Sequence, residues 1–214
     1  MGDCCSTDYR KVFRTSMGFD DLKRYERGGL RSTQADLAEM SATALGTDTT
    51  LLEVGGGVGA LHVDLLGRGA ASATTIDLSS GWEEAAASLL TNKGLSTRVR
   101  RLNGDFVEEA ESLPEADVVL LHRVICCYPD WPAMVDAAAS RARQAVVFTI
   151  PKESLAARLS LVLFHAWLRV RRCGFTSYIH PVGEILDRFA SHGFVVSEER
   201  SRVGWVSYRL DRRD

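Results

Sequence analysis

A chain of 214 residues, 45% hydrophobic and 25% charged, is long and apolar enough to bury the core of one α/β domain. Its formal net charge of −2 excludes a globally basic nucleic-acid-binding surface. No apolar stretch reads as a signal peptide or a membrane span.

Residues 1–18 are polar and irregular and read as a loose arm. A helical pattern runs from Phe19 to Arg27, is broken by Gly28-Gly29, and resumes over Leu30–Leu45, with Leu30, Leu37, Met40 and Ala44 on one face and Gly46 as its C-cap. The chain divides at this point. Residues 1–46 form an arm and cap helices, and 47–214 form one compact unit. Leu51–Leu61 reads as an apolar strand, an acid, a glycine turn and the first turn of a helix that ends at Gly67. Ala73–Ile76 is a short strand ending in Asp77, and Ser80-Gly-Trp-Glu83 is a capping box that opens a helix to Leu90. Thr97–Leu102 is a strand, followed by Gly104-Asp105-Phe106 and a short acidic helix. Ala116–His122 is a buried strand, Asp130 caps a helix from Trp131 to Ala142, and Gln144–Ile150 is a further strand. Strands joined by helical crossovers predict a doubly wound, mostly parallel sheet. Leu155–Val170 and Pro181–Ser191 are helices. Phe194–Glu198 and Val203–Leu210 are too closely linked for a parallel crossover, so they predict a C-terminal antiparallel hairpin. The expected total is seven strands, with the N-terminal helices as a cap.

The glycine turn is a nucleotide cradle: without side chains the backbone approaches a ligand, and the helix start offers unpaired N–H groups. Two readings compete. Gly55-x-Gly57-x-x-Ala60, with Asp77 downstream, fits the dinucleotide fingerprint of a nicotinamide-dependent oxidoreductase. The alternative places weight on Glu53, two residues before the first glycine. A carboxylate there suits an ammonium and repels a pyrophosphate.

With Glu53-Val-Gly55-Gly-Gly57-Val-Gly59, Asp77 at the end of the second strand, Asp105-Phe106 after the third and the closing hairpin, the chain resembles the class I S-adenosylmethionine-dependent methyltransferases over Thr49–Leu210. The resemblance implies S-adenosylmethionine as cofactor and S-adenosylhomocysteine as product. It implies Glu53, Gly55, Gly57 and Gly59 at the amino-acid end, Asp77 and Leu78 at the ribose, Asp105 and Phe106 at the adenine, and His122 as a further contact. Asp77 and Asp105 could instead be simple helix caps. A non-catalytic fold that only senses the cofactor is a third possibility.

The fourth strand ends in His122-Arg-Val-Ile-Cys-Cys-Tyr-Pro-Asp130, which is similar to the matching loop of magnesium-protoporphyrin methyltransferases. His122 is the candidate general base and Tyr128 a candidate for orienting the acceptor; a loop-bonding histidine and a packed aromatic are the plain alternatives. His165 and His180 could reach the pocket mouth. The acceptor is expected to be a small organic molecule, hydrophobic or aromatic, methylated at oxygen. No metal and no nucleic-acid partner is expected, and membrane contact is at most peripheral.

Cys4, Cys5, Cys126, Cys127 and Cys173 lack C-x-x-C spacing, which excludes zinc ribbons and thioredoxin motifs and suits a reduced, cytoplasmic chain. The opening Met-Gly-Asp-Cys-Cys-Ser formally fits a myristoylation pattern with palmitoylatable cysteines. Leu155–Val170 is more apolar than a surface helix; it reads as a helix packed on the sheet under the N-terminal pair, as a wall for an apolar acceptor, or as an interfacial helix.

Overall fold

The computed structural model describes residues 15–170 and 175–213. The Met-Gly-Asp-Cys-Cys start, Arg171, Arg172 and Cys173 lie outside them. In chain order the strands are β1 (Thr50–Val54), β2 (Ser72–Asp77), β3 (Val99–Asn103), β4 (Ala116–His122), β5 (Ala142–Pro151), β6 (Phe194–Ser201) and β7 (Trp205–Arg212). The helices are α1 (Thr15–Gly28), α2 (Ser32–Ala42), α3 (Ala60–Gly67), α4 (Glu83–Asn92), α5 (Phe106–Glu109), α6 (Trp131–Arg141), α7 (Leu155–Val170) and α8 (Val182–Ser191).

The strands form one seven-stranded sheet in the order β3-β2-β1-β4-β5-β7-β6. β1 to β5 run parallel, and β7 runs antiparallel to both β5 and β6, so the hairpin expected from sequence closes one edge. The central strands are buried on both faces, and successive side chains join different cores. Leu52, Val119, Leu121, Val146 and Phe148 join α6 and α8 in one core, while Leu51, Val118, Leu120 and Val147 pack against α2 and α3 on the other side. Strands covered on both faces read as continuous apolar runs for this reason. Phe148, Phe189 and Phe194 anchor the first core, with ring centroids 5.6 Å and 6.3 Å apart.

Several boundaries differ from expectation. α1 starts at Thr15, inside the stretch read as a loose arm. The reason is Gly18, a poor helix former in isolation: its missing side chain lets α1 sit against α4, where a Cβ would lie 3.2 Å from Ala85 and from the Gly81 carbonyl. α2 is shorter than predicted at both ends. Gln34 accepts from the Arg31 backbone N–H at 3.0 Å and fixes the start. The C-cap is Thr43; Gly46 belongs to the following turn, where its N–H donates to Thr49 Oγ1 at 2.7 Å. Before α4, Ser79 caps a 3-10 turn over Ser80–Trp82, its hydroxyl accepting from Gly81 N–H at 3.2 Å, and the N-cap of α4 itself is Trp82, with no side-chain cap. The predicted capping-box partner, Glu83, is taken by the Arg101 guanidinium at 2.8 Å. The hairpin strands run further than predicted, to Ser201 and Arg212.

α7 has the expected bounds, but it is not packed beneath the N-terminal helices. Leu155, Leu159, Val162, Leu163 and Trp167 are all at least half exposed, and Leu168 is the buried anchor. The cover over the sheet is α2 instead. Asp36, 1% exposed, accepts two hydrogen bonds from Arg202 at 2.7 and 2.9 Å, and Arg209 donates to the Met40 carbonyl and to Thr43. An N-terminal helix is thus bolted to the C-terminal hairpin.

Phe189→Ala is expected to lower stability by about 3–5 kcal/mol, read as a shifted urea-unfolding midpoint with an unchanged slope.

Candidate active site

The carboxyl ends of β1, β2, β3 and β4 open into a cavity of about 420 Å³, within the usual size range of small-molecule sites. Its floor is the glycine loop. Gly55 has φ +64 and a Cβ there would lie 2.8 Å from Val124, so the loop admits no side chain without displacing the post-β4 segment. Gly55 N–H donates to the Ile76 carbonyl at 2.8 Å, which ties the loop to β2.

Asp77, at the end of β2, holds the loop from the side. One carboxylate oxygen accepts from Gly57 N–H at 3.0 Å and the other from Ser79 N–H at 2.9 Å. Only 8% exposed, it stands on the cavity wall, and burial pushes its carboxyl up to about 6 against the pull of those two N–H groups and Arg101. Arg101 also donates to the Gly57 carbonyl at 3.0 Å.

Glu53 stands elsewhere. It is 2% exposed, lies behind the loop rather than on the cavity wall, and meets His62 Nδ1 at 2.6 Å. His62 is itself fully buried, and Gly59, with φ +91, leaves room for its ring: a Cβ at residue 59 would come within 2.6 Å of it. Glu53, Gly59 and His62 therefore act on the loop's shape. The acid was legible in the sequence; its partner was not. The available signal was a histidine in the otherwise apolar first turn of α3, nine positions after a buried acid.

Asp105 accepts from Val107 N–H at 2.9 Å as the N-cap of α5 and also accepts the Tyr128 hydroxyl at 3.1 and 3.2 Å. Tyr128 is pushed well above its ordinary value by burial and then by Asp105. Both residues, with Leu78 and Phe106, line the cavity. His122 is there too, 2.9 Å from Thr33 Oγ1 of α2. Burial, then the guanidiniums of Arg123, Arg31 and Arg24, hold its imidazole down to about 3. It is neutral at any physiological pH and a feeble base. Arg123 takes a left-handed backbone conformation, φ 59, donates to Thr33 Oγ1 at 3.1 Å, and lies 4.1 Å from the Trp205 ring centre. Met17, Asp21, Arg24, Arg31 and Gln34 complete the wall from α1, α2 and their link. None of them was a site candidate in the sequence.

His165 and His180 are outside the cavity. His165 Nε2 accepts from Ser177 N–H at 3.1 Å and His180 Nε2 lies 3.0 Å from the Tyr128 carbonyl, so both brace the segment after α7. Cys126 and Cys127 are not in a disulfide; the neighbouring thiol and burial push Cys126 well above its ordinary value, against use as a nucleophile. No described residue of α7 lines the cavity.

The O-methyltransferase domain family matches residues 28–146, more than half of the chain. The chain belongs to that family. As a member it is an S-adenosylmethionine-dependent methyltransferase, which decides between the two readings of the glycine loop. Magnesium protoporphyrin IX methyltransferase (ChlM) from Synechocystis PCC 6803, solved with bound SAH and with bound SAM, is similar. The SAH structure has a TM-score of 0.72 at 19% identity, over 97% of this chain and 99% of that one. An O-methyltransferase family protein from Burkholderia thailandensis has a TM-score of 0.70 at 18% identity, over 92% of this chain and 59% of that one. The mitomycin 7-O-methyltransferase MmcR has a TM-score of 0.58 at 24% identity, over 83% and 53%. The chain spans about half the length of MmcR. At these identities the structural likeness carries the fold. No curated protein sequence is significantly similar to this one.

The proton affinity of Asp77 sets a pH dependence of stability. Its folded value of about 6 lies above the ordinary carboxyl range. Folding therefore favours the protonated form, and stability falls as pH rises from the ordinary carboxyl value to about 6, then levels. If Asp77 takes the ribose hydroxyls, as the resemblance implies, it has to be ionised, and SAH affinity is then expected to hold above pH 6 and to fall about tenfold per unit below it. Calorimetric titrations between pH 5 and 8 check this, and Asp77→Asn should bind weakly at every pH.

Proposed function

We propose that this enzyme transfers the methyl group of S-adenosylmethionine to an oxygen atom of a small acceptor with an apolar or aromatic body. The observation that carries the reading is the convergence of a side-chain-free loop, the Asp77 carboxylate and an apolar lining on one enclosed space. The family, an O-methyltransferase domain, supplies the reaction class.

The residues fit the cofactor. Asp77 keeps lone pairs beyond its two backbone bonds and takes the ribose hydroxyls. Leu78 and Phe106 give the adenine apolar surfaces, and Asp105, held by Tyr128, sits beside them. Gly55 and Gly57 let the amino-acid end approach the backbone, while Glu53, Gly59 and His62 keep the loop in shape from behind. When bound, the cofactor supplies a methyl group on a positive sulfur that is open to in-line displacement.

The protein's part is alignment and exclusion of water. α1 and α2 close the cavity, and Val54, Ile76, Val124 and Met134 line it with apolar surface that suits a hydrophobic acceptor. His122, fixed by Thr33, is a positioning group in this scheme. Its low proton affinity leaves it too weak to deprotonate an alcohol. Tyr128 orients through Asp105 and does not ionise. A cytoplasmic location belongs to the same proposal, supported by the two adjacent thiols at Cys126 and Cys127.

Titration with SAH and, separately, NADH is expected to show saturable binding of SAH alone, and label from methyl-labelled cofactor should pass to an oxygen of an aromatic acceptor. Binding of NADH in place of SAH would overturn the proposal. For His122→Asn the expected outcome is a turnover within about tenfold of wild type and a pH–rate profile of unchanged shape between pH 6 and 9. A loss of 10²–10⁴-fold, the usual range for removing a general base, would restore the base role.

A further inference from the structure

The outer face of α7 is apolar where a solvated helix is polar. Leu155 and Val170, at its ends, are 86% and 84% exposed, and Leu159, Val162 and Leu163 between them are each more than 60% exposed. Their spacing of i, i+4, i+7, i+8 and i+15 puts all five on one side of the helix. The helix is seated by its other side, where Leu168 is buried and the half-buried His165 accepts from Ser177 N–H. A further apolar side chain, Val203, is 99% exposed on the β6–β7 turn. That turn is joined to the entrance of α7, since Lys152 N–H donates to the Gly204 carbonyl at 3.0 Å.

The charge on this stretch is of one sign. Residues 154–183 contain four arginines, Arg158, Arg169, Arg171 and Arg172, and no aspartate or glutamate, in a chain whose net charge is −2. Arg158 and Arg169 are exposed. Standing about three turns apart, they share one flank of the apolar strip. The acid just before the helix, Glu153, accepts from Val182 N–H at 2.8 Å and is directed to the start of α8.

We propose that α7 is a lipid-docking helix, lying in the plane of an anionic membrane surface with its apolar strip in the acyl region and its arginines at the headgroups. Such a surface meets both features of the helix at once. Trp167, half exposed and stacked on Phe164 at 6.1 Å, adds an aromatic of the kind that settles at the headgroup level. No described helix is long and apolar enough to cross the bilayer, so α7 lies on it. A second copy of this chain suits the strip less well, because antiparallel packing about a two-fold axis brings the two arginine flanks together. The proposal does not depend on what the cavity binds, yet it bears on access to it. The segment after α7 is bonded to the post-β4 loop, by Tyr178 N–H to the Cys126 carbonyl at 2.6 Å and by His180 at the Tyr128 carbonyl, so the docking helix is coupled to an element of the cavity wall.

The test is co-sedimentation of the full chain with vesicles of phosphatidylcholine alone and of equimolar phosphatidylcholine and phosphatidylglycerol. Wild type is expected to bind the mixed vesicles at least about tenfold more tightly than the neutral ones, and Arg158→Gln with Arg169→Gln to weaken that binding roughly fivefold per arginine. Leu159→Glu with Leu163→Glu is expected to abolish sedimentation with either vesicle while its urea-unfolding midpoint holds, because both side chains are already exposed. Wild type that binds neither vesicle, or binds both equally, would overturn the proposal, as would a leucine variant that sediments like wild type. So would an assembly in solution, detected by light scattering, that the leucine variant dissolves: the strip is then a contact between proteins.

Discussion

The site depends on the buried Asp77 carboxylate. By accepting one N–H from the glycine loop and one from the start of the next crossover, it fixes the spacing of two βα turns that also pack Val58 and Trp82 into one buried cluster. Burial raises its proton affinity, so its ionised form is held at a cost and is reactive toward hydrogen-bond donors. A ligand that offers two hydroxyls meets a group already oriented and short of partners. Arg101 tempers the cost from below the loop, bonding both Glu83 and the Gly57 carbonyl.

Behind the same loop a second buried pair, Glu53 with His62, sets its height. The acid at the end of β1 thus belongs to the scaffold of the cradle, one layer beneath the space it shapes. The chemistry of the cavity is divided accordingly. Carboxylates gather where β2 and β3 end, and guanidiniums gather where α1, α2 and the post-β4 loop meet. A cofactor with a neutral nucleoside at one end and a zwitterion at the other would lie along that gradient.

Much of this was legible in the sequence, and the reason is distance. The glycine turn, the strand-end acids and the closing hairpin are local patterns, each confined to about a dozen residues. Continuous apolar runs such as Ala116–Leu121 read directly as strands of a covered parallel sheet. The missed features are non-local. Thr33 meets His122 across 89 positions and Arg202 meets Asp36 across 166, and nothing in either stretch signals the other. Arg24 and Arg31 flank the Gly28-Gly29 break, and nothing local there points to the distant glycine loop. Gly18 hid the start of α1, because a residue that weakens an isolated helix here permits the packing that forms it. The packing of the apolar α7 was left among three readings for the opposite reason: composition reports that a face is greasy without saying what it faces.

The bolt between α2 and the β6–β7 hairpin has a further consequence for how the protein assembles. The cavity wall is made from the first described helices, yet α2 is held by Arg202 and Arg209, near the far end of the chain. Contacts of that sequence separation form late, because their closure entropy is met only once intervening structure exists. The central strands can pair while the roof is still detached. A chain emerging from synthesis would therefore carry a complete glycine loop before it carries an enclosed site. Cofactor retention, rather than sheet formation, marks the moment at which the molecule is finished.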